Sequence, residues 1–205
     1  SGEPPMNIIN GFFFFFWPVS IASPHPNFKG RVNCLAFHPS DGNIIYAGTP
    51  GGGVWKTFDG GGSWIPISDG LPSLSISGIV VHPVNPDILY ILTGDAYNFQ
   101  RPGAGVFKST DAGVTWFATG LQWQTGQRIT GEDLIMAPAN PNVLLALTSD
   151  GIYRTSNAGT SWSRVSISVC NSIKFKANDP AKLIAVDPLS NRMLLSSDTG
   201  KIWTN

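Results

Sequence analysis

The sequence contains one short phrase four times, and this repetition limits the possible folds more than any other feature. The phrase has the frame Ser/Thr-x-Asp/Asn-x-Gly-x-x-Trp and occupies residues 57–64, 109–116, 155–162 and 196–203. Its Asp/Asn position recurs at residues 59, 111, 157 and 198, which gives intervals of 52, 46 and 41 residues. Repeats of this length are typical of propellers and solenoids, in which one structural unit is copied along the chain.

The residue types in the phrase predict a structural turn. An Asp or Asn side chain accepts hydrogen bonds from backbone N–H groups that follow it, and the Gly tolerates a positive φ. The Trp then buries a large apolar surface between neighbouring elements. We therefore predict structural roles for Asp59, Trp64, Asp111, Trp116, Asn157, Trp162, Asp198 and Trp203.

Each copy of the phrase completes a unit of four short strands. The segments before it are rich in β-branched and aromatic residues, and Gly, Pro, Asn and Asp separate them, as in strands joined by tight turns. No segment shows a sustained helical period of apolar residues. Four antiparallel strands per repeat predict an all-β fold, a β-propeller with four four-stranded blades. The predicted blades cover about 31–68, 75–119, 129–166 and 169–205.

Four blades predict an incomplete ring, because an open propeller leaves blade surfaces and strand edges unpaired. We expect a larger ring of six to eight blades, with a closed four-bladed ring as the less favoured alternative. The first predicted partner is therefore the remainder of the same propeller beyond residue 205. Residues 17–20 resemble the outer strand of a blade and are predicted to complete the closing blade, after an N-terminal segment at 1–16.

The repeated phrase resembles the Asp-box, or bacterial neuraminidase repeat. This repeat occurs in sialidases, xyloglucanase-type glycosidases and sortilin-type receptors, where the boxes lie on the propeller rim and away from the ligand. The third and fourth copies depart from it, with Asn157 for Asp and Ile202 for Ser/Thr. Residues 30–39, 48–57 and 70–80 also resemble secreted propellers of Bacteroidetes-type bacteria that carry a type IX sorting domain. The resemblance implies a secreted or cell-surface location.

Composition argues against several classes of partner. The 13 basic residues balance 13 acidic residues, so the chain lacks the positive charge typical of nucleic-acid binding. The apolar run Phe12–Phe16, followed by Trp17, is too short to span a bilayer, so we predict no membrane span. The two cysteines lie far apart in no metal-binding spacing, and we predict neither a metal nor a cofactor.

Two loops interrupt the repeat, and we predict that ligands bind there. Residues 94–105 and 120–133 are longer than their counterparts and fall on the propeller face that carries the blade-to-blade connections. Inserted loops on a rigid scaffold are common sites of function. The aromatic ring of Trp123, with amide and Arg neighbours, suits a sugar ring or a protein contact. An equally weighted alternative is that Trp123 and Tyr97 pack the two loops together. The candidate ligand-binding residues are Asp95, Tyr97, Asn98, Arg101, Trp123, Gln124 and Arg128.

Catalysis has less support in the sequence than binding. Most glycoside hydrolases need two carboxyl groups across the scissile bond, and the candidates on these loops are Asp95, Glu132 and Asp133. Glu132 and Asp133 are consecutive and would point to opposite sides of a strand, which leaves Asp95 with either of them. The six arginines of the propeller do not reproduce a sialidase site. We therefore predict no catalytic residue and a non-catalytic binding or adhesion propeller, whose ligand is a glycan or a cell-surface protein. The alternative is a glycoside hydrolase of the sialidase or xyloglucanase type with catalytic residues partly outside this segment.

Overall fold

The computed structural model describes residues 30–97 and 101–205, and this part of the chain is an all-β structure built from antiparallel sheets. Four sheets follow one another along the chain, and within each the strands pair in sequence order. A single turn of 3₁₀ helix at Thr125–Gln127 is the helical element of the described residues. The prediction of an all-β partial propeller is confirmed.

Within each sheet, the strands are ordered from the centre of the propeller outward, so the first strand is the innermost. The first sheet contains β1 (Cys34–Phe37), β2 (Ile45–Gly48), β3 (Val54–Thr57) and β4 (Ile65–Pro66). The second contains β5 (Ile76–Val81), β6 (Leu89–Thr93), β7 (Gly105–Ser109) and β8 (Phe117–Gln122). The third contains β9 (Gly131–Met136), β10 (Leu144–Thr148), β11 (Gly151–Thr155) and β12 (Ser163–Ser166). The fourth contains β13 (Ser172–Lys176), β14 (Asp179–Asp187) and β15 (Arg192–Ser196).

The fourth sheet differs from the other three at its outer edge. It has three strands, and a single antiparallel bridge between Leu195 and Thr204 stands where the others have a fourth strand. The segments predicted at 1–16 and 17–20 lie outside the described residues.

The first strands of the sheets, β1, β5, β9 and β13, are neighbours around a central apolar cavity of about 380 Å³. Its wall includes Ile79, Leu134, Ile135, Ile173 and Phe175. Because these strands lie side by side, the residues just before them reach the same end of the space that the four strands line, which we call the central channel.

Apolar residues between successive sheets form three separate cores. Tyr46, Val54, Ile76 and Leu89 belong to the core between the first and second sheets. The second and third sheets bury Leu92, Val106, Leu134 and Leu144 between them. The third and fourth bury Leu145, Leu147, Ile173 and Leu183. Each sheet is therefore stabilised mainly by its neighbours, as expected for a repeat protein.

The repeated phrase folds into a turn closed by its own side chains. In the second copy, Asp111 accepts hydrogen bonds from the hydroxyl of Ser109 (2.7 Å) and the backbone N–H of Thr115 (2.8 Å). Gly113 donates its N–H to Ser109 and has a φ of 95°, which favours Gly. The hydrogen bonds to the carboxylate, first that from the Thr115 hydroxyl and then those from the Thr115 N–H and the Ser109 hydroxyl, lower the pKa of Asp111 to about 2. The Asp111 carboxylate thus stabilises its own turn by accepting hydrogen bonds from it.

The indole N–H groups of the four Trp side chains in the phrase differ in their hydrogen bonds. Trp64 and Trp162 each donate the indole N–H to the Gly carbonyl of their own turn, at 3.2 Å. Trp116 instead donates to the carbonyl of Ile67 in the preceding sheet, at 2.7 Å. The buried indole N–H of Trp203 has no partner among the described residues. The Trp position therefore joins sheets in one copy and closes its own turn in two others.

One side chain from each of the first three sheets also reaches the turn of the next sheet. The ammonium group of Lys56 donates to the carbonyl of Ala112 (3.1 Å), and the guanidinium of Arg154 donates to that of Thr199 (2.9 Å). The Tyr90 hydroxyl makes the equivalent contact with the Ala158 carbonyl (3.1 Å). The three acceptor residues, Ala112, Ala158 and Thr199, have φ values of 57°, 55° and 60°. We name these three contacts the inter-blade bonds.

Tyr90→Phe is expected to lower the free energy of unfolding by about 1 kcal/mol, because it removes one hydrogen bond and keeps the buried ring. Chemical denaturation of the two proteins measures the difference. Tyr153→Phe is a matched control at a partly exposed ring whose hydroxyl bonds within its own sheet, to Asp150. An equal or larger loss in the control would contradict a special contribution from the inter-blade bond.

Candidate functional site

The two loops that interrupt the repeat meet at one end of the central channel. The loop after β6 contains Gly94 and Gly103, and the loop before β9 contains Ile129 and Thr130. The Gly103 N–H donates to the carbonyl of Ile129 (2.9 Å), and a side chain on Gly94 would collide with the backbone of Gly131. These contacts hold the loops together next to the first residues of β9.

Asp95 is the buried anchor of this region. Only 3% of the residue is exposed, and its backbone forms a two-way bridge with Arg101 (2.9 and 2.8 Å). Its carboxylate forms a salt bridge with the guanidinium of Arg31, which precedes β1. A carboxylate with so little exposure requires such a partner. The pair therefore ties the loop of the second sheet to the first sheet.

Tyr97 lies over the same arginine. Its backbone N–H donates to the Asp95 carboxylate at 3.2 Å, and the Arg31 guanidinium carbon lies 4.7 Å from the centre of its ring. The residue is nevertheless 67% exposed. The aromatic ring is thus supported from the protein side and open to solvent.

Glu132 is close enough to Asp95 to be influenced by its charge. Burial, then the charges of Asp95 and Asp133, raise the pKa of Glu132 to about 7. Glu132 therefore carries a proton through the mildly acidic range in which an exposed Glu is ionised. Proximity of the Asp95 and Glu132 carboxyl groups was one of the pairings that the sequence left open.

Asp133 is tied to a different partner. Its carboxylate lies 3.9 Å from the ammonium group of Lys174 on β13. Burial raises the pKa of Asp133, and the charge of Lys174 opposes this rise. Asp133 thus interacts with the neighbouring inner strand, whereas Glu132 responds to the Asp95 loop.

Trp123 does not lie on this surface. It is 7% exposed and packs in the core with Tyr90, Leu121 and Leu134. Its buried indole N–H has no partner among the described residues. This position fits the packing alternative considered from the sequence, because a buried ring presents no open face to a ligand.

The remaining candidates are spread around the loops. Gln124 is exposed, and its backbone N–H donates to the side-chain carbonyl of Gln127 (2.7 Å). Arg128 is exposed and has a φ of 56°. Asn98 lies outside the described residues. The structure thus brings together Asp95, Tyr97 and Arg101, while Trp123 is buried in the core between the second and third sheets.

Sequence reasoning missed the role of Arg31. Its one available signal was position, since it directly precedes a first strand and such residues converge at the channel end. Within 30–97 and 101–205, no group of acidic, Cys or His side chains could hold a metal ion. A search of the same residues found no helix long and apolar enough to cross a membrane.

Comparison with family models gave no match. Among curated proteins, a xyloglucanase of Paenibacillus sp is 32% identical over 148 residues, which are 66% of this chain and 14% of that protein. A xyloglucanase of Hypocrea jecorina is 28% identical over 150 residues, 67% of this chain and 18% of that protein. A xyloglucanase of Acetivibrio thermocellus is 29% identical over 148 residues, with shares of 66% and 18%. The chain therefore spans less than a fifth of the length of these relatives.

Solved structures share the fold. The GH74 xyloglucanase from Xanthomonas campestris matches with a TM-score of 0.68 and 21% identity, over 85% of this chain and 30% of that one. YCF48 bound to D1 peptide matches with a TM-score of 0.60 and 17% identity, over 85% and 52% of the two chains. At such low identity these likenesses concern the fold alone.

The curated relatives correct the functional prediction made from sequence. They are named as xyloglucanases, which are glycoside hydrolases, so the prediction of a non-catalytic binding module is wrong. The glycoside hydrolase that stood as its alternative is better supported. The sequence argument weighed against catalysis because it found no convincing pair of catalytic carboxyl groups within these 205 residues.

Proposed function

We propose that this chain is part of a glycoside hydrolase that cleaves xyloglucan or a closely related β-glucan. The observation that carries the proposal is the similarity to xyloglucanases, which extends over two thirds of the chain at 25–32% identity. Since the chain spans a small part of these relatives, the proposal concerns the activity of a longer protein to which this segment contributes.

We further propose that the end of the channel formed by the two loops faces the glycan. Support comes from the geometry, since Tyr97, Arg101 and Glu132 gather there around the buried Asp95. A glycan chain presents hydroxyl groups, which pair with neutral and charged hydrogen-bonding side chains, and apolar ring faces. This end of the channel offers both kinds of contact.

Glu132 is the carboxyl group of this region best suited to act in its neutral form. Asp95 has its charge compensated by Arg31, and Asp133 interacts with Lys174. Glu132 forms no salt bridge within residues 30–97 and 101–205 and keeps its proton up to about pH 7. We propose that it donates a hydrogen bond to the bound glycan, and that at least one catalytic carboxyl group of the pair required for hydrolysis comes from another segment of the longer protein.

The expected site of action is extracellular, since xyloglucan is a polymer that an enzyme meets outside the cell. Export by a type IX route rests on the resemblance of residues 30–39, 48–57 and 70–80 to secreted propellers.

The full-length protein is expected to release reducing ends from xyloglucan and not from starch, whose backbone has α-linkages. Reducing-sugar assays followed by mass spectrometry of the products measure this directly. A full-length protein that is folded, binds xyloglucan and yields no product over a day would contradict the proposed hydrolysis.

A further inference from the structure

Tyr97 is an exposed aromatic ring in an otherwise polar setting. It is 67% exposed on a loop whose base, at Asp95, is 3% exposed. An exposed ring attached to a buried anchor is held in place without being part of the core. The open face of the ring leaves apolar surface in contact with water. A ligand that covers this face gains the free energy of burying that surface.

The ring is fixed by three linked contacts. Arg31 covers one face at 4.7 Å, and the same guanidinium forms a salt bridge with Asp95. The Tyr97 N–H donates to the second oxygen of that carboxylate. Because Arg31 occupies one face, the exposed fraction of the ring belongs to its other face and edges. Such fixing lowers the entropy lost when a ligand stacks on the ring.

Two polar residues lie near Asp95, at the base of the loop that carries the ring. Arg101 is paired with Asp95 through its backbone, and its guanidinium lies against Gly51 of the loop between β2 and β3. Any side chain at Gly51 would displace that guanidinium, since an added carbon would lie 2.3 Å from it. Glu132 lies within the influence of Asp95. An exposed aromatic face with hydrogen-bonding groups in the same region matches a pyranose ring, which has an apolar face and a hydroxyl edge.

We propose that Tyr97 is the stacking platform for one pyranose ring of the glycan and that Arg31 positions it. The proposal rests on the proposed function only in taking a glycan as the ligand. It assigns the platform to Tyr97 in place of Trp123, which is buried, and gives a role to an arginine outside both inserted loops.

The test uses the full-length protein and a xyloglucan-derived heptasaccharide, with affinity measured by isothermal titration calorimetry. Tyr97→Ala is expected to weaken binding roughly tenfold, the effect of losing one stacked aromatic ring. Tyr97→Phe and Tyr97→Trp should keep binding within about threefold. In hydrolysis, Tyr97→Ala should raise KM and leave kcat unchanged, because the platform binds substrate and transition state alike.

Arg31→Lys tests the positioning role. It retains the positive charge beside Asp95 and removes the planar group under the ring. We expect binding about three- to fivefold weaker at an unchanged melting temperature. Phe117→Ala serves as the control, since Phe117 is a similarly exposed aromatic residue on the outer strand β8, and its loss should not alter binding.

Unchanged affinity in Tyr97→Ala, or an equal loss in Phe117→Ala, would overturn the assignment while xyloglucan hydrolysis by the parent protein still stood. A parent protein that hydrolyses no xyloglucan but loses heptasaccharide binding on Tyr97→Ala would overturn the proposed function and support the platform. The two proposals therefore fail separately.

Discussion

Glu132→Gln is expected to remove the fall in kcat/KM that we predict for the parent protein as the pH rises through about 7. The parent carboxyl group is protonated below that pH because burial and two neighbouring carboxylates raise its pKa to about 7. Above it, Glu132 becomes an anion beside Asp95 and Asp133 and no longer donates a hydrogen bond. Glutamine keeps a hydrogen-bond donor at every pH and carries no charge, so kcat/KM of this variant should stay constant as the pH rises through about 7.

Glu132→Ala removes the donor altogether and is expected to lower kcat/KM about tenfold at pH 6, the effect of one lost hydrogen bond of roughly 1.4 kcal/mol. Steady-state rates on xyloglucan from pH 4 to 9, for the parent and both variants, measure these effects. A parent-like alkaline limb in Glu132→Gln would contradict the assignment. A loss of kcat beyond about 100-fold in Glu132→Gln, with little change in KM, would instead identify Glu132 as the proton donor of the reaction.

Leu145→Ala is expected to lower the free energy of unfolding by about 3–5 kcal/mol. Leu145 is fully buried on β10, in the core between the third and fourth sheets. Its side chain also lies directly against the turn of the fourth sheet, where a carbon added to Gly200 would be 2.4 Å from a Leu145 methyl group. Truncating a buried leucine to alanine loses the free energy of transferring the removed apolar atoms out of water. It also leaves a cavity, which destabilises the fold further.

Urea denaturation followed by tryptophan fluorescence measures the loss. Leu189→Ala is the matched control, because Leu189 is 83% exposed and its removal should change the stability by less than about 0.5 kcal/mol. Similar losses in both proteins, or a change below 1 kcal/mol in Leu145→Ala, would show that the two sheets do not stabilise each other through this core.

The repeat made the fold predictable because every copy carries the same local chemistry. The Ser/Thr, Asp/Asn, Gly and Trp positions keep the same spacing within every copy of the phrase, so one correct interpretation serves four sheets. The two inserted loops could also be located, since they break that spacing. Their convergence at one end of the channel followed from propeller geometry.

The details of the site were not predictable in the same way. Trp123 and Tyr97 both lie in inserted loops, and the sequence contains nothing that tells a buried aromatic ring from an exposed one there. Arg31 is 64 positions from Asp95, and their pairing depends on contact between two sheets. The enzyme class was missed because catalysis was judged on the carboxyl groups of one segment, while similarity carried information about a longer protein.

The inter-blade bonds have a consequence for how such a repeat can change through evolution. Their donors differ, being an ammonium, a phenol and a guanidinium, while the acceptor is a main-chain carbonyl at the same point of each turn. A carbonyl is supplied by whichever residue occupies that position. One substitution on the donor side can therefore exchange, strengthen or delete a contact without a compensating substitution on the other blade. Each junction can drift on its own, and the geometry of the turn is the only shared requirement.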